Sequence, residues 1–416
     1  MFSKFVVQGD HILMKQIAWT KNKMKKSVGV STNFLSDNEI QKAKAFHASF
    51  PEYSMTPLRS LENLAKQLGV GGIYVKDESY RFGLNAFKVL GASFAIAKYL
   101  AKCLNLDVGE LSFSMLASAE IRNKLGEITF VTATDGNHGR GVAWAARQLQ
   151  QKSVVYMPKG SSLTRLENIR AEGATASITD LNYDEAVRLA ADKAAEFGWV
   201  VVQDTAWEGY EEIPTWIMQG YGTIAAESLE QLQQQGIEKP THILLQAGVG
   251  SFAGAIEGYF ASVFGKEKPK TMIVESDLAD CLYQSAIAND EQPRIVTGDM
   301  ATIMAGLACG EPNRIGWEVL RDYSDMFFSC SDDVSAKGMR LLGNPLGTDN
   351  RVISGESGAV TAGLLMSLLE KTDLQNAKDS LGLDKDSRIL LISTEGDTDP
   401  VKYRSIVWDG EYPSYK

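Results

Sequence analysis

From residue 128 onward the chain keeps switching its hydrophobic period, and that alternation narrows the fold more than any other feature. Short apolar runs at 128–133, 153–157, 175–178 and 199–203 alternate with stretches of helical spacing at 139–150, 163–172 and 183–197. Strands joined through helices by short loops require a mostly parallel sheet covered on both faces. After Pro240 a second series begins: a strand at 242–246, a glycine loop, a helix at 253–263, and strands at 271–275 and 388–392. The expected class is α/β, as two three-layer α/β/α units with mostly parallel twisted sheets. Ligands of such folds sit outside the carboxyl ends of the strands.

The remaining segments read more locally. Residues 37–49 suit a capped helix, and 58–68 an amphipathic helix closed by Gly69. A short strand is expected at 73–75 and a helix at 89–104. Residues 209–214 read as a connection, 216–235 as a long helix, 298–312 as an ordered loop, and 354–369 as loop then helix.

Size and charge exclude several function classes. A chain of 416 residues carries core enough for two or three domains. Its net charge of -10 argues against a nucleic-acid partner. The four cysteines, Cys103, Cys281, Cys309 and Cys330, show no metal or redox spacing, so reduced thiols and no metal are expected. Lysines at 4, 15, 21, 23, 25 and 26 have no apolar core between them, which fails as a secretory signal. That arm reads as loosely ordered or draped on a partner. The weakly charged run at 241–256 is too short to span a bilayer. A soluble cytoplasmic protein is the expectation.

Five stretches carry chemistry. Lys88 ends Arg81-Phe-Gly-Leu-Asn-Ala-Phe-Lys88, between a strand and a helix, where an amine is well placed to point into a cleft, although a solvated surface lysine is the commoner reading of it alone. Gln246-Ala-Gly-Val-Gly-Ser-Phe-Ala-Gly254 joins a buried strand to a helix. Its glycines let backbone approach a ligand, and the helix N-terminus offers free N–H groups to a phosphate. Neither the P-loop nor the dinucleotide spacing is met, so a tight turn is an equal reading of that loop alone. Thr132-Ala-Thr-Asp-Gly-Asn-His-Gly139 offers Thr134 and nearby N–H groups to a carboxylate and Asn137 to a phenolic oxygen. Asp135 there reads equally as a helix cap, and His138 as a packed histidine. Gln203-Asp-Thr-Ala-Trp-Glu-Gly209 sets Asp204 at a strand end, and Ile392-Ser-Thr-Glu-Gly-Asp-Thr-Asp399 offers Ser393 or Thr394 to a heterocycle nitrogen. Pyridoxal 5'-phosphate needs an amine, a phosphate site and partners for its ring oxygen and nitrogen. The set supplies each once.

In this order the stretches resemble the fold type II pyridoxal-phosphate enzymes, among them threonine dehydratase, serine racemase and threonine synthase. The likeness runs from about residue 40 to 409 and includes Lys76-Asp-Glu-Ser-Tyr-Arg81, Ile213-Pro-Thr-Trp-Ile-Met-Gln-Gly220 and Asp299-Met-Ala-Thr-Ile-Met-Ala-Gly-Leu-Ala-Cys-Gly-Glu-Pro312. The resemblance implies that Lys88 carries the cofactor. It implies that Gly248, Val249, Gly250, Ser251 and Gly254 hold its phosphate, Asn137 its ring oxygen, and Thr394 or Ser393 its ring nitrogen. Thr134 would help bind the substrate carboxylate, with Asp135 and Asp204 as acid–base pair and substrate contacts. A hydroxyl at the ring nitrogen would leave it unprotonated and favour prompt elimination.

General dehydratases of this kind carry Ser-x-Gly-Asn at the asparagine turn; here x is Asp135. That departure points to a 2,3-diamino acid and to a carbon–nitrogen lyase releasing pyruvate and two ammonia from D- or L-2,3-diaminopropionate. The alternatives are a serine/threonine dehydratase or racemase on the same scaffold, and a cofactor-free α/β binding protein. The resemblance further implies a homodimer and a Cys281–Cys309 disulfide, which a reducing compartment disfavours. It also implies a larger unit of residues 1–90 and 211–416, with 1–36 as an arm, around a smaller one of 91–210.

Overall fold

A computed structural model describes residues 16–134 and 136–414. Eleven strands form two sheets among these residues. The strands are β1 (Ile17–Lys21), β2 (Leu58–Ser60), β3 (Gly72–Asp77), β4 (Thr129–Ala133), β5 (Lys152–Met157), β6 (Thr175–Ile178), β7 (Val200–Val201), β8 (His242–Gln246), β9 (Lys270–Ser276), β10 (Met326–Cys330) and β11 (Arg388–Ser393). The larger sheet has the order β1-β10-β9-β8-β11-β3-β2, and the smaller β6-β5-β4-β7. Every pair in the smaller sheet is parallel. In the larger sheet only the two edge strands, β1 and β2, run antiparallel.

This is the α/β, mostly parallel arrangement that the alternating pattern predicts. The inner strands β3, β8 and β10 are buried along their whole length, as parallel strands covered by helices must be. Packing helices complete the layers, and no helix among the described residues is long and apolar enough to cross a membrane.

Several expectations need correction. Residues 17–21 of the N-terminal arm are not loose: they pair in register with β10, from Ile17↔Cys330 to Lys21↔Met326. Lys4 and Lys15 lie outside the described residues. The segment 58–68 is not one helix. Leu58–Ser60 pairs antiparallel with β3, and the helix is Glu62–Leu68, closed by Gly69 at φ 71°. The strand expected at 199–203 shrinks to Val200–Val201, because the Gln203 side chain turns back to accept from Thr132 Oγ1 at 2.8 Å and the Ala133 amide at 3.1 Å. The long helix begins at Glu212, ahead of Pro214. Proline is tolerated in a first turn, whose N–H groups have no intrahelical partner.

Helix Val89–Leu104 holds the middle of the molecule. It packs on Glu212–Gln234 through glycines that let the two backbones nearly touch. A Cβ on Gly91 would stand 2.6 Å from Tyr221, and one on Gly220 would collide with the Leu90 carbonyl. On its other side, a Cβ on Gly141 of helix Asn137–Gln148 would meet the Val89 backbone at 2.9 Å. Lys88 is the residue that opens this helix.

Candidate active site

The carboxyl ends of β3, β4, β7, β8 and β11 converge on one cleft of about 620 Å³, part of it open to solvent. That is within the usual range for a ligand pocket. Lys88, Asn137, Asp204, Gly248, Val249, Gly250, Ser251 and Thr394 all line it. Five loops far apart in sequence thus meet as their chemistry predicts.

Lys88 and Asp204 form the charged centre. Lys88 Nζ donates to Asp204 Oδ2 at 2.7 Å, and the Asp204 side chain is 5% exposed. Burial alone would raise the Asp204 carboxyl. The Lys88 ammonium, then His138, outweigh it and hold the group down at about 2. His138 is packed, as its sequence context suggests. Its Nε2 lies 2.8 Å from the Val202 carbonyl, which can only accept, so Nε2 carries the hydrogen. Its Nδ1 faces Asp204 Oδ2 at 3.8 Å.

The glycine loop is latched from two directions. Gly250 adopts φ 95°, a left-handed conformation that suits glycine and opens helix Ser251–Phe264 toward the cleft. The Ser251 hydroxyl donates to the Asp204 carbonyl, and Asn313 Nδ2 donates to Ser251 Oγ at 2.8 Å. The Asn313 amide also bonds the Val249 carbonyl at 2.7 Å. Asp204 and the candidate phosphate loop are therefore held as one piece.

A buried ion network fixes the approach to Lys88. Glu227 receives Lys76 Nζ at 2.6 Å and both Arg81 Nη atoms at 2.9 and 2.7 Å; Arg81 also bonds Glu78 at 2.8 Å. All four side chains are at most 1% exposed. Burial works against the charge on Glu227, but Arg81 and Lys76 prevail and hold it at about 2. Beside the network Phe82 sits at φ 49°, unusual for a bulky residue, its ring 4.9 Å from that of Trp144. From there the loop is tied to the last turn: Phe87 N donates to Thr394 O at 3.0 Å, and Gly396 N to Asn85 O at 3.0 Å.

Other named residues lie elsewhere. Thr134 is buried outside the lining, its hydroxyl accepting from the Gly136 and Gly139 amides at 3.0 and 3.1 Å. Gly254 lies one turn into its helix, packed on Gly316. Ser393 is buried outside the cleft wall, which takes Thr394 instead. Asp135 lies outside the described residues. No disulfide joins Cys281 to Cys309; the Cys281 thiol lies 3.8 Å from the Cys309 carbonyl.

Phe87, Tyr221, Gly306, Leu307, Ser357 and Glu395 also line the cleft, and the sequence assigned none of them a role. Tyr221 sits mid-helix, and Gly306 and Leu307 belong to a loop whose pattern predicts order but no position. A second cavity of about 980 Å³, lined by Asp184, Arg188, Trp207 and Glu311, shares Val249 and Cys309 with the first.

The residues fit pyridoxal phosphate. Amine, glycine loop, asparagine and hydroxyl surround one space. Two buried polar atoms on its wall, Tyr221 Oη and Gln246 Oε1, have no partner among the described residues. Such atoms are costly to leave unsatisfied.

Comparison with known proteins agrees. Residues 50–393 match the family of pyridoxal-phosphate dependent enzymes. The chain is 55% identical over 401 residues to diaminopropionate ammonia-lyase of Salmonella typhimurium, covering 96% of this chain and 99% of that enzyme. The crystal structure of diaminopropionate ammonia lyase from Escherichia coli in complex with D-serine superposes with a TM-score of 0.89 at 49% identity. It covers 95% of this chain and 98% of that one. The same enzyme in complex with an aminoacrylate-PLP azomethine reaction intermediate gives 0.87 at 49%, with the same coverage. The chain therefore belongs to the pyridoxal-phosphate dependent enzymes of fold type II, in the family of the diaminopropionate ammonia-lyases.

Proposed function

We propose that this chain is a carbon–nitrogen lyase that converts 2,3-diaminopropionate and water into pyruvate and two ammonia. The observation that carries this reading is the Lys88–Asp204 pair, 2.7 Å apart with the carboxylate buried, in a cleft that also holds the glycine loop, Asn137 and Thr394. Bound there, pyridoxal phosphate supplies the electron sink that acidifies the substrate's α-hydrogen.

The chain's own groups do the rest. The amides of 248–251 would hold the phosphate at a helix N-terminus. Asn137 would face the ring oxygen, and Thr394, the hydroxyl on the cleft wall, the ring nitrogen. Lys88 would hold the cofactor aldehyde through its amine. With that amine engaged, Asp204 would lose the larger of the two charges that hold its carboxyl down, and burial would raise its proton affinity. Asp204 Oδ2 can then take a proton or stabilise the departing ammonium. An amine leaves poorly unless protonated, so a carboxylate beside it is chemically apt. Asp135 keeps its place as the second acid–base group on the sequence pattern, and Thr134 as the residue shaping the turn that receives the substrate carboxylate. The family also supports a homodimer working in the cytoplasm, with 91–210 as a smaller unit set against 1–90 and 211–416.

Reconstitution tests the reading. The protein loaded with pyridoxal phosphate should absorb in the visible and release pyruvate from diaminopropionate, and Lys88→Ala should lose both. Persistence of the visible band in Lys88→Ala would mean that another amine carries the cofactor.

A further inference from the structure

The second cavity, about 980 Å³ with part of it open to solvent, is continuous with the catalytic cleft. Val249 and Cys309 line both spaces, and two stretches of chain run from one into the other. Asp204 faces the cleft, and the three residues after it, Thr205, Ala206 and Trp207, wall the cavity. Cys309 faces both, and Glu311 and Pro312 follow it into the cavity. The Trp207 ring is braced by stacking on Tyr210, with centroids 4.3 Å apart. The remaining wall is one face of helix Tyr183–Phe197, where Asp184, Val187, Arg188, Ala191 and Asp192 follow the spacing that sets side chains one above another.

A charged helix face ordinarily looks out to water. This one looks into a cavity with Val187, Ala191, Ala206, Pro312 and Trp207 for apolar wall, and its charges are not spent on one another. Asp184, Arg188, Asp192 and Glu311 make no hydrogen bond and no close ion pair with any described residue. Glu311 nevertheless lies within the field of the helix. Burial, then the charge of Asp184, raises its carboxyl, and Arg188 lowers it. Burial raises Asp184 too, against Arg188. Three carboxylates thus meet one guanidinium where the cleft opens outward.

We propose that this cavity is the antechamber through which substrate reaches Lys88, and that Asp184 and Glu311 favour a diamino acid there by charge. This rests on the reading that the chain acts on diaminopropionate. A 2,3-diamino acid has one amine more than serine. The fraction protonated on both amines is a cation, whereas serine is neutral overall. Its ammonium groups meet the two carboxylates, and its own carboxylate meets Arg188. A cleft lined by one sign of charge between apolar walls concentrates ions of the opposite sign and speeds their arrival. Neither residue touches the reacting atoms. Both act on arrival, and so on KM and kcat/KM rather than on kcat.

The test is kcat/KM of the holoenzyme for diaminopropionate and for serine at ionic strengths of about 10 mM and about 150 mM, which shorten the reach of a charge from about 30 Å to about 8 Å. In the wild type the value for diaminopropionate should fall with salt, and that for serine should hardly move. Equal slopes for the two substrates overturn the proposal, and decide it without any variant. The double variant Asp184→Asn/Glu311→Gln should lose about tenfold in kcat/KM for diaminopropionate, the lower end of what a charged cleft adds to association, with the loss carried by KM. It should also lose most of the salt slope, while Glu311→Asp, which keeps the charge, retains it. A double variant with the wild-type value and slope, or one that loses serine turnover by the same factor, overturns the proposal. Serine turned over better than either diaminopropionate enantiomer removes instead the diamino reading beneath it.

Discussion

At the scale of single residues the site is governed by burial working against charge. Asp204 is held at about 2 by Lys88 in spite of its burial, so the pair contributes stability above the ordinary carboxylate range and loses it as pH falls toward 2. Asp204→Asn should lower turnover of at least one diaminopropionate enantiomer by about 10²–10⁴-fold, the usual span for a general acid–base group, measured as pyruvate release. Turnover of both enantiomers at the wild-type rate would remove Asp204 from the chemistry. Glu356 behaves oppositely. Burial, then the charge on Glu395, lifts it from 4.5 to about 7, so the folded chain keeps a proton that the unfolded chain releases. Stability from this group is greatest below pH 4.5 and declines by about 3 kcal/mol as pH rises to 7. Glu356→Gln should therefore raise the melting temperature relative to wild type more at pH 8 than at pH 5. An equal offset at both values would contradict the shift.

At the scale of elements, the loop that delivers Lys88 is held by ions and the helix that follows it by close packing. Removing one partner from a buried ion network strands the others in a medium that cannot solvate them. Glu227→Gln should cost about 3–5 kcal/mol in denaturant unfolding and weaken cofactor retention, because Arg81 and Lys76 would lose their common acceptor. A loss under 1 kcal/mol would show that the network contributes little. Gly220→Val should be worse for the site than for a typical helix position. The new side chain would force Glu212–Gln234 away from Leu90 and shift the base of Lys88. The readout is loss of cofactor binding in a chain that keeps its far-ultraviolet circular dichroism; retained binding would mean that the helices relax without moving the lysine. Elements with a strong local period were legible in the sequence. The helix Val89–Leu104 and the strands β4, β5, β6 and β8 stand within a residue or so of expectation. Elements fixed by distant pairing were not. The edge strand β1 pairs with β10 some three hundred residues on, and no local pattern names that partner, while the three residues of β2 are too few to show a period of their own.

At the scale of the whole molecule, the site was legible for a different reason: each loop carried its chemistry in its own residues. Lys88, Asn137, Asp204, the loop 248–251 and Thr394 announce amine, amide, carboxylate, phosphate cradle and hydroxyl, and strand topology gathers them at one end of two sheets. Tyr221, Asn313 and Glu395 were hidden because what they touch lies far along the chain: Phe87, Ser251 and the Gly358 amide. Asn313, for instance, supports the glycine loop only through Ser251, 62 residues earlier. Gathered so, these groups are expected to act on a 2,3-diamino acid in preference to a hydroxy amino acid. The direct measurement is kcat/KM of the cofactor-loaded protein for diaminopropionate, as each enantiomer, against serine under identical conditions. A clear preference for diaminopropionate is the predicted result; serine turned over better than either enantiomer would contradict it.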